Sequence, residues 1–184
     1  LKNARTLSGY EAPAGPGKAV FVGRIARAGY AIEKYIIDAE GSLPLPSLFF
    51  VPSEGKSHPA VLLVSSTGKM PDAAEGGIAE TLVKQGYAVL LCDLPGFGEL
   101  TGNTRGDDSV IRGVSFNLVF GAQLIGRSVT GIQAGCAVKA AQWLAANPTV
   151  EQGGIIAISR GIAGPALVHA ASFDTIIRAA AFMD

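Results

Sequence analysis

The sequence predicts an α/β fold: a three-layer α/β/α sandwich whose sheet is mostly parallel, with an antiparallel N-terminal edge. Three observations carry this expectation. Uninterrupted apolar runs at Ala60–Val64, Tyr87–Cys92 and Ile155–Ile158 read as buried strands, and Arg178–Met183 looks like a fourth. Helix-period segments separate them, and strand–helix–strand order requires right-handed crossovers between parallel strands. The 24 glycines among 184 residues suit many tight strand–helix turns.

Taken in order, residues 1–28 carry Gly9, Pro13, Gly15, Pro16 and Gly17 with little periodicity and read as an extended arm or leader. The domain proper is expected over 29–184. Tyr30–Ile37 alternates and is β-branched, so it reads as a strand. Leu43–Val51 reads as its antiparallel partner, and Pro44 and Pro46 suggest an exposed edge. After the strand at Ala60–Val64, Asp72–Gln85 is helix-like, with Ile78 and Leu82 four apart and Gly86 as a stop signal. Tyr87–Cys92 is the next strand, and the polar, glycine-rich Gly96–Gly113 is a loop. Thr130–Asn147 places Ile132, Cys136, Ala140 and Trp143 on one helical face, and Asn147-Pro148 ends it. Gly161–Ser172 is a small-residue helix in which Pro165 is tolerated only in the first turn.

Composition excludes several classes. With 48% hydrophobic and 16% charged residues, the chain is neither disordered nor a coiled coil. Fifteen basic residues balance fifteen acidic ones, so no basic excess points to nucleic acid or an anionic membrane. The apolar runs are far shorter than a bilayer span, and Arg160, Pro165 and His169 interrupt the longest apolar stretch. The chain opens on Leu1 without a basic segment ahead of an apolar core, so no signal peptide is read. A processed or excised chain fits this start, and the compartment, cytoplasmic or exported, stays open. Cys92 and Cys136, the only cysteines, read as buried structural thiols rather than a disulfide.

The sharpest local feature is Ala157-Ile158-Ser159-Arg160-Gly161, between a buried strand and a helix. This is the setting of a nucleophile elbow, where a strained turn lifts one side chain above the sheet and residues two away on either side must be small. Ser159 as a helix N-cap is the alternative. A second feature, Ser65-Ser66-Thr67-Gly68-Lys69, follows the first buried strand and should face the elbow across the sheet's carboxyl edge. There the backbone N–H of Thr67 could join that of Arg160 as an oxyanion hole. A third, Asp93-Leu94-Pro95-Gly96-Phe97-Gly98-Glu99, reads as structural, with Asp93 accepting backbone N–H groups that hold the turn.

These pieces together resemble the first half of an α/β-hydrolase of the dienelactone hydrolase and acetyl xylan esterase-like group. The resemblance runs over about 30–184. It rests on the leading antiparallel strands, His58–Val64 with its loop, Gly86–Asp93 followed by Leu94–Glu99, the helix ending at Asn147-Pro148 and the turn at Ser159. It implies hydrolysis of small acyl esters, acetylated carbohydrate among them. No G-x-G-x-x-G follows an expected strand, and two distant histidines and two separate cysteines build no metal site, so neither cofactor nor metal is expected. Ser159 would be the nucleophile, and Arg160 and Thr67 the oxyanion donors.

One departure stands out. In that group an acid and then a histidine follow the serine, whereas His58 precedes the first buried strand and His169 lies ten residues past Ser159, about 15 Å along a helix. The triad is incomplete over these residues. The sequence therefore leaves two readings: a segment of a longer ester hydrolase, or a catalytically inactive hydrolase-like binding or scaffold protein. A remote third, a phosphate-loop GTPase, lacks the glycine at Leu63 and the hydroxyl residue at Met70 that the loop requires.

Overall fold

The computed structural model describes residues 1–39, 43–102, 109–111 and 113–184. Its main sheet has seven strands in the order β1-β2-β3-β5-β4-β8-β9. The strands are β1 (Ala19–Arg27), β2 (Tyr30–Asp38), β3 (Pro44–Pro52), β4 (Ala60–Ser65), β5 (Ala88–Cys92), β8 (Ile155–Arg160) and β9 (Ile177–Met183). β5, β4, β8 and β9 run parallel, while β1, β2 and β3 are antiparallel and join the sheet through β3 and β5. Every residue of β4 and β5 is buried, as continuous apolar runs demand. Alternate residues of these strands face opposite layers. Leu62, Val64 and Leu90 pack towards α5 (Val129–Ala145) and α6 (Gly164–Phe173), and Val61, Leu63 and Val89 towards α3 (Ile78–Lys84).

Five segments differ from the sequence expectation. β9, expected to be buried, is buried only at Ile177, because it is the last strand of the sheet and has a partner on one side only. Residues 1–28 are not an extended arm: α1 (Lys2–Ser8) and β1 form there, and β1 pairs with β2. Val20, Phe21 and Val22 of this edge strand are all exposed, so no one-sided burial leaves a period to read. The helix expected over 72–85 is two, α2 (Lys69–Ala73) and α3. Gly76 adopts φ +75 between them, and a Cβ on Gly77 would lie 2.6 Å from the Asp72 carbonyl oxygen. The helix expected from Gly161 opens as a 3₁₀ turn, Gly161–Ala163, and Pro165 falls in the first turn of α6, where its missing N–H costs nothing. Within the loop expected over 96–113, residues 103–108 and 112 lie outside the described residues. The rest holds a 3₁₀ turn at Gly98–Leu100 and one strand of a short hairpin, β6 (Val110–Ile111) with β7 (Val114–Ser115). The following α4 (Phe116–Leu124) carries Asn117 and Gln123 at positions that gather no polar face, so it shows no helical period.

α1 is seated on the start of α5. Ser128 caps α5 by accepting from the Gly131 N–H at 2.9 Å, and its hydroxyl donates to the Ser8 carbonyl at 2.8 Å. A Cβ on Gly131 would lie 2.1 Å from that carbonyl oxygen. Gly131→Ala is therefore expected to dislodge α1. Limited proteolysis should cut ahead of Tyr10 several-fold faster, while the urea midpoint of the core barely moves.

No described helix is long and apolar enough to cross a membrane.

Candidate functional site

Three loops meet at the carboxyl ends of β4, β5 and β8, and buried charge fixes two of them. The Asp93 carboxylate accepts from the Lys69 N–H at 2.7 Å, from Lys69 Nζ at 2.6 Å and from the Glu99 N–H at 3.0 Å. Lys69 Nζ also pairs with Glu99. The Lys69 and Asp93 side chains are 3% and 1% exposed, so each charge is compensated where water is excluded. Asp93 thus holds the turn, as its place in the sequence suggests. Gly98 is obligatory there: it has φ +55, and a Cβ would lie 2.4 Å from the Asp93 carboxylate. The neighbouring Cys92 thiol is pushed far above its ordinary range, first by complete burial and then by the Asp93 charge. Cys92 and Cys136 are both free and buried.

The strand-to-helix turn after β8 is displaced from its expected place. Sequence puts Ser159 at the apex; in the structure the apex is Gly161, with φ +60. Ser159 remains inside β8, paired with Val64 and Phe182. It is 1% exposed, its Oγ has no hydrogen-bond partner, and that oxygen lies 3.8 Å from where a Cβ on Gly164 would stand. The physical reason is twofold. The ladder continues through Arg160, which pairs with Ser65 and Met183, and a left-handed apex is cheap only for glycine. The small–x–apex–x–small spacing is kept around Gly161 by Ser159 and Ala163. Two registers of the same motif therefore satisfied the sequence rule.

The proposed oxyanion donors lie at the same edge. Thr67 is exposed; its hydroxyl bonds Ser65 Oγ at 2.9 Å and its N–H faces that oxygen at 3.4 Å. Arg160 accepts the Ser66 N–H on its carbonyl at 3.2 Å, and its guanidinium is paired with the buried Asp72. Neither histidine joins them. His58 sits at the amino end of the sheet, its Nδ1 3.2 Å from the Gly86 carbonyl oxygen. His169 lies along α6 with Nδ1 2.8 Å from the Pro165 carbonyl oxygen and its ring edge-on to Phe173. Among the described residues, no group of three His, Cys, Asp or Glu side chains is placed to hold a metal.

A cavity of about 1040 Å³ opens beside the turn, walled by Phe97, Val114, Val129, Gln133, Gly161 and Ile162. Ser159 does not line it. Sequence reasoning missed Gln133, which is 4% exposed and donates from Nε2 to the Pro95 carbonyl at 2.7 Å. The available signal was a polar residue set among the apolar positions of α5, since a buried polar group is informative in a way that an exposed one is not.

No protein-family profile matches the chain, and no curated protein matches it by sequence. Solved structures do match in backbone. A candidate acetyl xylan esterase from Bacteroides fragilis superposes with a TM-score of 0.78 at 19% identity, over 97% of this chain and 50% of its own. Acetyl xylan esterase 1 from a Thermoanaerobacterium species gives 0.73 at 12% identity, over 98% and 56%. A glucuronoyl esterase from Solibacter usitatus gives 0.65 at 13% identity, over 96% and 55%. The chain spans about half the length of each of these three proteins. Its fold is the α/β-hydrolase fold in the form seen in the acetyl xylan esterases.

Proposed function

We propose that this chain is a hydrolase-fold unit that binds a small neutral ester or acetylated carbohydrate at the carboxyl edge of its sheet, through a turn that carries no nucleophile. One observation supports this above the rest: the apex of the turn is Gly161, which has no side chain to attack with, while the nearest hydroxyl in β8 is buried. The cavity beside Gly161 supplies the space for a ligand. The ligand class follows from the resemblance to esterases.

Ester hydrolysis through Ser159 is the second reading, favoured by its buried, unpartnered hydroxyl. Such a group is costly unless it has a use. On that reading Ser159 is the nucleophile, the Arg160 and Thr67 N–H groups hold the oxyanion, and a histidine from outside these residues is the base. The segment 159–161 would have to turn the hydroxyl out of the ladder.

Ser159→Ala, made in a form of the protein that includes the histidine the second reading requires, separates the two. On the first reading, turnover of a chromogenic acetyl ester does not depend on Ser159, and stability is unchanged or slightly higher because an unsatisfied hydroxyl is removed. A loss of turnover by orders of magnitude in a folded Ser159→Ala variant would establish the second reading instead.

A further inference from the structure

Of the buried polar side chains among the described residues, Gln133 alone is part of the wall of the cavity beside Gly161. We infer that Gln133 is a specificity contact of this site: its Oε1 accepts a hydrogen bond from an O–H or N–H group of the ligand. The cavity then favours a ligand that brings such a donor over one of the same shape that does not. This rests on the binding reading above.

The orientation of the amide follows from its one partner. Nε2 donates to the Pro95 carbonyl at 2.7 Å. A carbonyl only accepts, and proline has no N–H, so the –NH2 end must meet Pro95 and Oε1 is left on the other side. Oε1 has no hydrogen-bond partner among the described residues, yet it is not sealed from solvent as the unpartnered oxygens of Ser159 and Gln142 are. It therefore stays accessible from the cavity that Gln133 helps to wall. None of the other buried residues of α5 carries an amide, a hydroxyl or a charge, and the bond to Pro95 uses only one end of this amide.

Two rigid elements hold the acceptor in place. Val129 and Gln133 stand four apart on α5, share one helix face and both wall the cavity. Pro95 lies in the turn that Asp93 holds, where the Gly96 N–H donates to the Leu100 carbonyl and the Phe97 N–H to the Leu94 carbonyl, both at 2.9 Å. Turning the amide over would set Oε1 against the Pro95 oxygen, so Gln133 cannot offer its N–H to the ligand instead. A ligand that enters displaces water from Oε1. One with a donor restores the lost hydrogen bond, and one without a donor leaves a buried acceptor unsatisfied. Phe97, Val114, Val129 and Ile162 give apolar contact to either kind, so discrimination falls to Gln133.

The test uses three uncharged probes built on one frame. Benzylacetone can only accept; 4-phenyl-2-butanol has a hydroxyl in place of its carbonyl; N-benzylacetamide has an N–H in place of one CH2. None is an ester, so the result does not depend on whether Ser159 supports turnover. Binding to the full chain is followed by NMR titration on the backbone amides of Val114 and Gly161, which wall the cavity. The better of the two donors is expected to bind about threefold to tenfold more tightly than benzylacetone, the usual worth of one neutral hydrogen bond. Which donor is better tells whether O–H or N–H is read. The Gln133 Cδ signal should move with that donor and stay in place with benzylacetone. In Gln133→Met the loss of the Pro95 bond should lower the melting temperature by a few degrees, and the three affinities should converge to within about twofold. A purely structural Gln133 would instead weaken all three probes alike and leave their ratios standing. Equal binding of all three probes to the native protein, an unmoved Cδ signal, or a donor preference that survives in folded Gln133→Met would each overturn the inference and leave the binding reading intact. No saturable binding of any probe would overturn both.

Discussion

Asp93→Ala is expected to destabilise the fold by about 3–5 kcal/mol, the usual cost of removing one partner from a buried ion pair. The carboxylate accepts three hydrogen bonds, two from Lys69 and one from the Glu99 backbone. Without it, Lys69 keeps only Glu99, whose side chain is 63% exposed, and solvent screens that pair. The loss should appear in urea denaturation as a lowered midpoint with little change in slope. Adding Lys69→Met to Asp93→Ala should recover part of the stability, because the uncompensated charge is then gone and a similar volume remains. A loss under about 1 kcal/mol for Asp93→Ala would place the pair among weakly contributing ion pairs. The cavity would change too, since its wall residue Phe97 lies within the turn that Asp93 holds.

Phe49→Ala is expected to cost about 3–5 kcal/mol, the range for deleting a buried aromatic ring. Phe49 is 1% exposed on β3 and meets Trp143 of α5 edge-on at 5.7 Å between ring centroids. Trp143 also lies 4.9 Å from the Tyr35 ring on β2. These three rings join the antiparallel end of the sheet to the helix that walls the cavity. Trp143 is the chain's single tryptophan, so its fluorescence reports the contact directly. The emission maximum of folded Phe49→Ala should move to longer wavelength as water reaches the ring, and the urea midpoint should fall. An unshifted spectrum with native stability would mean that α5 is held by its small residues alone.

The Tyr35 hydroxyl shows the same end of the sheet in its acid–base behaviour. Its pKa is pushed up to about 12 by burial and by a 2.9 Å hydrogen bond to Glu33.

The parallel core was legible because burial on both faces leaves a chemical trace in each residue. Ala60–Val64 and Ala88–Cys92 hold no charged or hydroxyl side chain, and both lie at the centre of the sheet. Asp93 was legible for a related reason: a carboxylate ending a buried strand must find donors, and the backbone of the following turn is the nearest source. α1, β1 and α4 left no such trace. β1 is held through backbone pairing, which any side chain permits, and the polar residues of α4, Asn117 and Gln123, gather on no single face. The break between α2 and α3 falls at Gly76-Gly77, inside the segment expected to be one helix, and depends on the close approach of Gly77 to the Asp72 carbonyl.

The amino-acid sequence by itself determined the fold class, the stretches of chain that form the parallel strands and the segment in which the turn after β8 lies, because these follow from hydrophobic period and small-residue spacing. Only the tertiary structure decided which residue stands at the apex of that turn. Small–x–small spacing fits both Ser159 and Gly161, and the choice between them rests on how far β8 stays hydrogen-bonded to β4 and on the Ser66 hydroxyl occupying the space above the glycine. Those are contacts between residues some ninety positions apart, formed when the sheet assembles, and no local pattern encodes them.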